Sequence, residues 1–130
     1  SPLCDDLQLA GCDDGMVSFP PEPQDIRLGN ALPLPASLTS LGISRFPNLE
    51  RLSSSIVDLQ NLTELIIEDC PKLKYFPEKG LPSSLLRLRL ERCPLIGEKC
   101  RKDGGRYRDL LTHIPYVWGF EVSTTEIFYY

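Results

Sequence analysis

The stretch that decides the fold is LLRLRLERC at residues 85–93, with leucine at its first, fourth and sixth positions and cysteine at its ninth. The same pattern recurs as LTELIIEDC at residues 62–70 and as LTSLGISRF at residues 38–46, where Phe takes the last position. A degenerate copy, CDDLQLAGC, occupies residues 4–12. The three regular copies begin at residues 38, 62 and 85, so the pattern repeats every 23 or 24 residues.

A period of 20–29 residues with the pattern L-x-x-L-x-L-x-x-N/C is the signature of leucine-rich repeats. The L-x-L centre predicts a short strand in which the two leucines point inward and the residue between them points outward. One such unit cannot bury its apolar face alone, so successive units must stack. The sequence therefore predicts an α/β fold, a leucine-rich-repeat solenoid (horseshoe) with short parallel strands.

The segments between the repeats predict an irregular, Pro-rich convex side. Proline follows the pattern directly at Pro47, Pro71 and Pro94, and the chain has 12 prolines in 130 residues. Because proline fixes φ near −65° and cannot donate to a strand ladder, these segments should be extended or form short 3₁₀ turns. Few short helices are expected, and residues 53–59 are the best candidate for one.

The repeat pattern predicts three regions along the chain. Residues 1–96 should hold about four leucine-rich repeats, with an insertion near residues 13–35. Within that insertion, Ile26 and Leu28 alternate with polar residues, which leaves open a small extra strand or a semi-rigid loop.

Residues 97–122 should form a C-terminal cap, because an uncovered end would expose apolar side chains and strand-edge groups. A short helix is predicted at residues 106–113 and a final strand at residues 116–122. Residues 123–130 are predicted to be a loose tail, with the alternative that Ile127, Phe128, Tyr129 and Tyr130 pair with another segment.

Composition excludes several classes of function. The net charge of −4 provides no general basic field for nucleic acid, and no apolar run approaches the ~20 residues needed to span a membrane. Five cysteines without a pairing rhythm favour a reduced, cytoplasmic setting. The sequence begins in the middle of a repeat, which indicates a piece of a longer chain.

The sequence predicts no catalytic, cofactor-binding or metal-ligating residue. His113 is the only histidine, and a Cys100–His113 nucleophile–base pair is much less favoured than a structural role in the cap. The cysteine spacing fits no zinc site, and there is no G-x-x-x-x-G-K-[ST] nucleotide loop. Cys12, Cys70 and Cys93 occupy one repeat position and should form a buried, unreactive column.

Four short motifs resemble the last repeats of plant intracellular NB-ARC–LRR disease resistance proteins of the coiled-coil type. They are CPKL at residues 70–73, FPEKGLPSSL at 76–85, CPL at 93–95 and HIP at 113–115. The resemblance covers residues 62–115 and does not extend to residues 122–130. Members of the family usually carry Trp in the cap helix before the HIP motif, and Tyr107 stands in its place here.

The resemblance implies an innate-immunity role, in which the repeats recognise pathogen effectors or modified host proteins. It also implies that they regulate an NB-ARC switch in the defense response, so that the chain's own NB-ARC domain is a further protein partner. ADP or ATP would bind only that NB-ARC domain, so no cofactor is expected in the residues of this chain.

The concave face of the predicted strands is the candidate protein-binding surface. Its outward positions in the last two repeats are Glu64, Ile66, Glu68, Arg87, Arg89 and Glu91. Parallel stacking should place Glu64 beside Arg87, Ile66 beside Arg89, and Glu68 beside Glu91, a like-charge pair. The alternative for Glu64 and Arg87 is an ordinary surface salt bridge, which contributes about 0–1 kcal/mol.

A second hypothesis comes from another class of protein. Similar L-x-x-L-x-L-x-x-C repeats occur in substrate-recognition modules of F-box ubiquitin-ligase adaptors. Those modules would show more regular convex helices and an upstream F-box. The Pro-rich segments and the cap motifs of this sequence favour the receptor.

Overall fold

The computed structural model of the chain describes residues 5–11, 15–21, 34–120 and 126–129. The strands and helices are, in chain order, β1 (Asp6–Ala10), β2 (Ser18–Phe19), β3 (Ser40–Ser44), β4 (Arg51–Leu52), a 3₁₀ helix (Ser54–Asp58), β5 (Glu64–Glu68), β6 (Arg87–Glu91), α1 (Pro94–Lys99), α2 (Arg108–Leu111), β7 (Tyr116–Phe120) and β8 (Glu126–Tyr129). The prediction of an α/β fold with short parallel strands and few short helices is confirmed.

A six-stranded sheet of order β1-β3-β5-β6-β7-β8 runs through the molecule. Its first five strands are parallel, and β8 pairs antiparallel to β7. Leu41, Leu65 and Leu88 are register partners on successive strands, and Leu7 and Val117 continue this interior column at its two ends. The predicted stacking of equivalent leucines is therefore confirmed.

The interior column is closed to water from β3 to β7, whereas Leu7 at its β1 end is only partly buried. Leu41, Leu65, Leu88 and Val117 are each 0% exposed. A second column two residues further along the strands contains Ile43, Ile67 and Leu90, which are all buried, and further buried side chains come from the return segments between strands. Full burial of an aliphatic side chain of this size contributes roughly 1.5–3 kcal/mol, so these columns hold the strands in register.

The residue that directly follows each of β3, β5 and β6 has a left-handed backbone conformation. Arg45, Asp69 and Arg92 directly follow β3, β5 and β6 and have φ values of 57°, 54° and 52°. The Arg45 N–H donates to Glu68 O at 3.0 Å, and the Asp69 N–H donates to Glu91 O at 2.9 Å, so both still bond the neighbouring strand. This turn directs the chain away from the sheet just before the proline of each return segment.

The return segments are short and irregular, as predicted. The 3₁₀ helix lies within the predicted residues 53–59 and buries Ile56. A small parallel sheet forms where β2 pairs with β4 and Arg51 of β4 bridges to Tyr75. The possible strand around Ile26 and Leu28 lies outside the described residues.

The C-terminal region differs from the prediction in two places. The predicted boundary between repeats and cap, at residues 96 and 97, falls inside α1, which Pro94 begins. Proline suits the first position of a helix because its missing N–H has no helical partner there. Of the two possibilities for residues 123–130, the loose tail is wrong for Glu126–Tyr129, which form β8 and supply backbone partners to β7.

The helix and the strand predicted within residues 97–122 are both present. Helix α2 lies within the predicted residues 106–113 and buries Leu111, with Tyr107 and Leu110 partly buried against the core. The strand predicted at residues 116–122 is β7, Tyr116–Phe120, but it is not the final strand because β8 follows it. Within the described ranges, no helix has the length and the apolar composition needed to cross a bilayer.

Candidate functional site

The candidate site is the face of the six-stranded sheet opposite the interior columns, which we call the open face. Because side chains alternate along a strand, residues next to a buried leucine point to this face. The predicted register is confirmed: Glu64 pairs with Arg87, Ile66 with Arg89, and Glu68 with Glu91. The six predicted residues therefore form two neighbouring rows, on β5 and β6.

A third row on β7 extends the open face, and sequence reasoning missed it. Tyr116 is the register partner of Arg87, and Trp118 is the register partner of Arg89. The two rings stack with centroids 5.9 Å apart and planes at 9°. The YVW stretch lacks the full leucine pattern, and its alternation around buried Val117 was the signal that could have identified both residues.

Arg87 and Trp118 help to line an open hollow of about 310 Å³. Its other lining residues are Glu64, Leu65, Ile66 and Arg89. The hollow therefore combines an indole, an isoleucine and two guanidinium groups with one carboxylate. Such a surface can accept an apolar side chain flanked by an acidic one.

The surface salt bridge, which was the alternative interpretation of Glu64 and Arg87, does not form. Glu64 Oε1 instead accepts a hydrogen bond from Ser40 Oγ at 2.8 Å. The Arg87 guanidinium carbon lies 6.0 Å from the centroid of the Tyr116 ring. Within the described part of the chain, Arg87 makes no ion pair. It is therefore held against an aromatic face and is free to meet an acidic group of a partner.

The like-charge pair of Glu68 and Glu91 is partly balanced by two arginines, Arg89 in the middle of β6 and Arg92 directly after it. Arg89 forms a salt bridge with Glu91, and Arg92 Nη2 lies 3.6 Å from Glu91 Oε2 and 3.8 Å from Glu68 Oε2. Arg92 also donates two hydrogen bonds to the Asp69 carboxylate, at 2.6 and 3.0 Å. The Glu91 side chain is only 12% exposed, so it belongs to this internal cluster and offers little surface to a partner.

The electrostatics of the cluster follow its geometry. The pKa of Glu68 is raised, first by burial and then by the neighbouring charge of Glu91. The pKa of Asp69 is lowered, chiefly because Arg92 donates hydrogen bonds to its charged form. The cluster therefore holds favourable ion pairs of Arg92 with Asp69 and of Arg89 with Glu91, and one carboxylate, Glu68, that would be better accommodated as the neutral acid.

The open face carries no charged residue on β3, and on β1 its one charged residue, Asp6, accepts a hydrogen bond from Gln8 Nε2 at 2.9 Å. Ser40, Gly42 and Ser44 occupy its positions on β3. The Gln8 side chain lies across Gly42, where an added Cβ would stand 2.0 Å from Gln8 Oε1. Glycine thus permits this close approach, and the charged and aromatic groups are concentrated on β5, β6 and β7.

The described cysteines lie in the interior. Cys70, Cys93 and Cys100 are buried thiols that form no disulfide, whereas Cys12 lies outside the described residues. The Cys93 thiol contacts Cys70 and the backbone oxygen of Glu91 at 3.4 Å, and its pKa is raised by the contact with Cys70 and by burial. That contact lowers the pKa of Cys70, and burial raises the pKa of Cys100 to about 12.

No metal site is apparent in the described ranges. No group of three or more His, Cys, Asp or Glu residues there is placed to hold a metal ion. His113 is exposed, two residues beyond α2.

Comparison of the chain with protein-family models, with curated proteins and with solved structures gives no match. Inference about function therefore rests on the open face and on the sequence pattern.

Proposed function

We propose that this chain is the leucine-rich-repeat recognition region of a plant intracellular immune receptor of the NB-ARC–LRR type. Its open face binds a protein partner: a pathogen effector, a modified host protein or the receptor's own NB-ARC domain. The repeat spacing, the in-register leucine columns and the four short motifs support this proposal.

The arrangement of Arg87, Tyr116 and Trp118 around the hollow is the observation that carries the binding role. Arginine, tyrosine and tryptophan are the residue types most enriched among binding hot spots. Here Arg87 lies over Tyr116, which stacks on Trp118, so the three side chains are ordered before any partner arrives. Ordering in advance lowers the entropy cost of association.

The chemistry of the open face favours a partner segment with an apolar anchor and a nearby carboxylate. Ile66 and Trp118 provide the apolar contact, and Arg87 provides the cation. In this proposal the chain has no catalytic role and needs no cofactor of its own. An F-box adaptor is less well supported, because the described return segments hold only a short 3₁₀ helix and two short α-helices.

The experiment uses the full-length protein, expressed in leaf tissue, with substitutions in the open face. Arg87→Glu and Trp118→Ala should change the cell-death response, either in the absence of a pathogen or during infection. Lys72→Glu, on a return segment, is the matched charge reversal and should leave the response unchanged. Arg89 is avoided because its loss would leave Glu91 nearly buried with a weaker counter-charge.

Folding is checked in parallel by circular dichroism and melting of the isolated chain. Folded Arg87→Glu and Trp118→Ala variants that both leave cell death unaltered would refute the binding role of the open face. An altered response in the Lys72→Glu variant alone would indicate that the return segments, and not the open face, bind the partner.

A further inference from the structure

A cleft of about 1040 Å³ lies away from the open face. Its lining residues come from four places: residues 51–54, residues 75–80, Arg106 with Tyr107, and Leu110 of α2. None of them belongs to the six-stranded sheet. The proposed binding of a protein at the open face therefore does not account for this cleft.

The cleft is electropositive in a chain that is acidic as a whole. Arg51, Lys79 and Arg106 line it together with one carboxylate, Glu78, which gives a local charge of +2 against −4 for the chain. None of the three cations forms an ion pair with a carboxylate of the described residues. The cleft therefore presents charge that no described residue compensates.

Two tyrosines hold cations at the cleft. The Arg106 guanidinium carbon lies 5.8 Å from the centroid of the Tyr75 ring and 5.6 Å from that of Tyr107. Lys99 Nζ lies 3.9 Å from the centroid of Tyr75. Contacts of this kind attract a cation to the ring and restrict the rotamers of a long side chain. Arg106 is thus partly ordered before a ligand binds.

The tyrosines are themselves held in place. Tyr107 Oη accepts a hydrogen bond from the Phe76 N–H at 3.2 Å, and the Phe76 and Tyr107 rings lie 4.8 Å apart. Tyr75 bridges to Arg51 of β4. Lys99 and Arg106 therefore pack against tyrosine rings that backbone pairing and aromatic contacts hold in place.

A tight turn forms another wall of the cleft and carries Lys79. The Gly80 N–H donates to Pro77 O at 2.9 Å. Gly80 has a φ of 92°, and a Cβ there would stand 3.1 Å from Leu110 of α2. A side chain at this position would strain the backbone and press on α2, so glycine keeps the turn close to the cap.

We propose that this cleft binds a small organic phosphate monoester. A phosphate monoester carries about −1.5 to −2 charges at neutral pH, which matches the local charge better than the single charge of a carboxylate. Arginine forms bidentate hydrogen bonds with phosphate oxygens, and lysine supplies a further point charge. The cleft volume lies near the upper end of the ~300–1,000 Å³ range typical of small-molecule sites, so it accommodates an organic body as well as the phosphate.

The test is calorimetric titration of the chain with three sugars of similar size. Glucose 6-phosphate should bind at one saturable site, glucuronate at least about tenfold more weakly, and glucose not at all. Arg106→Gln and Arg51→Gln should each weaken glucose 6-phosphate binding by about tenfold or more. Arg101→Gln and Lys72→Gln, which remove a charge outside the cleft, should change it by less than about twofold.

A fourth variant tests the aromatic support. Tyr75→Leu removes the ring that contacts Lys99 and Arg106 and should weaken glucose 6-phosphate binding while retaining all four cations. If that variant does not fold, the substitution Arg106→Gln at an exposed position still tests whether the cleft binds the phosphate. Equal weakening by Arg101→Gln and Arg106→Gln, equal affinity for glucuronate, or no saturable binding of glucose 6-phosphate would each overturn the proposal. Such a failure would leave the open face and its test untouched.

Discussion

The two faces of the six-stranded sheet are built from the same short strands, and they differ in how far their residues repeat. On the interior face, β3, β5 and β6 present leucine at one position and leucine or isoleucine two residues later. On the open face, the corresponding residues change from Ser40 and Gly42 to Glu64 and Ile66 and then to Arg87 and Arg89. Stacking in register demands uniform chemistry only where water is excluded, so the open face is free to differ at every strand.

The largest expected effect separates the two faces directly. Leu65→Asp should unfold the chain, because burying an unpaired carboxylate at a fully buried position costs several kcal/mol. A domain of this size has only about 5–15 kcal/mol to lose. Far-ultraviolet circular dichroism and thermal melting are the measurements.

The adjacent residue supplies the matched control. Ile66→Asp places the same side chain on the open face, where it remains in water, and should cost less than about 1 kcal/mol. Equal melting temperatures for the Leu65 and Ile66 variants would remove the distinction between the faces.

A smaller effect tests whether the interior column continues into the cap. Val117→Ala deletes two methyl groups from a side chain that is 0% exposed and should lower stability by about 2 kcal/mol. Tyr116→Ala, one residue earlier and 50% exposed, should cost less than about 1 kcal/mol despite the lost stacking on Trp118. Urea unfolding of both variants measures the difference. If Tyr116→Ala lowered stability more than Val117→Ala, Val117 would not belong to the interior column.

The smallest effect concerns the charge cluster at the ends of β5 and β6. Glu68 has a raised pKa in the folded chain, so its charged form destabilises the fold once the pH exceeds that value. Glu68→Gln should therefore raise stability at pH 7, by no more than about 1 kcal/mol because the side chain is partly solvated. The gain should vanish below the ordinary glutamate pKa of about 4.3, where both forms are neutral.

Urea unfolding of the wild-type chain and of the Glu68→Gln variant between about pH 4 and pH 7 measures the sign of the stability change at each pH. A gain that grew towards acid would mean that Arg92 outweighs Glu91 at this carboxylate.

The repeating part of the fold could be read from the sequence because its cause is local and periodic. Intervals of 23 and 24 residues between equivalent leucines are sufficient to predict which strands pair and in which register, including the pairing of Glu64 with Arg87. Pro47, Pro71 and Pro94 likewise predict that each strand stops and that long helices do not follow.

The remaining features depend on contacts that no repeat encodes. The pairing of β8 with β7 joins two unique segments, and the pattern contains no second copy from which to infer it. The left-handed turns occur at Arg45, Asp69 and Arg92, and of these residue types only Asp is enriched at positive φ, so two of the three turns carry no local signal.

The candidate site was predicted in part for the same reason. Its rows on β5 and β6 follow the repeat, whereas Tyr116 and Trp118 lie on a strand without the full pattern. The near burial of Glu91 depends on Arg89 and Arg92, whose side-chain directions the spacing does not determine.

The register of β5 and β6 is the feature on which both faces depend, and disulfide trapping measures it directly. Parallel neighbours lie about 4.8 Å apart, within the roughly 4.4–6.8 Å between Cα atoms that a disulfide spans, whereas partners two residues out of register lie about 8 Å apart. Under mild oxidation, the Glu64→Cys/Arg87→Cys double variant should form the 64–87 cross-link, identified by mass spectrometry of the unreduced digest. The Glu64→Cys/Arg89→Cys variant should not form its cross-link; equal or preferential trapping of 64 with 89 would contradict the aligned columns.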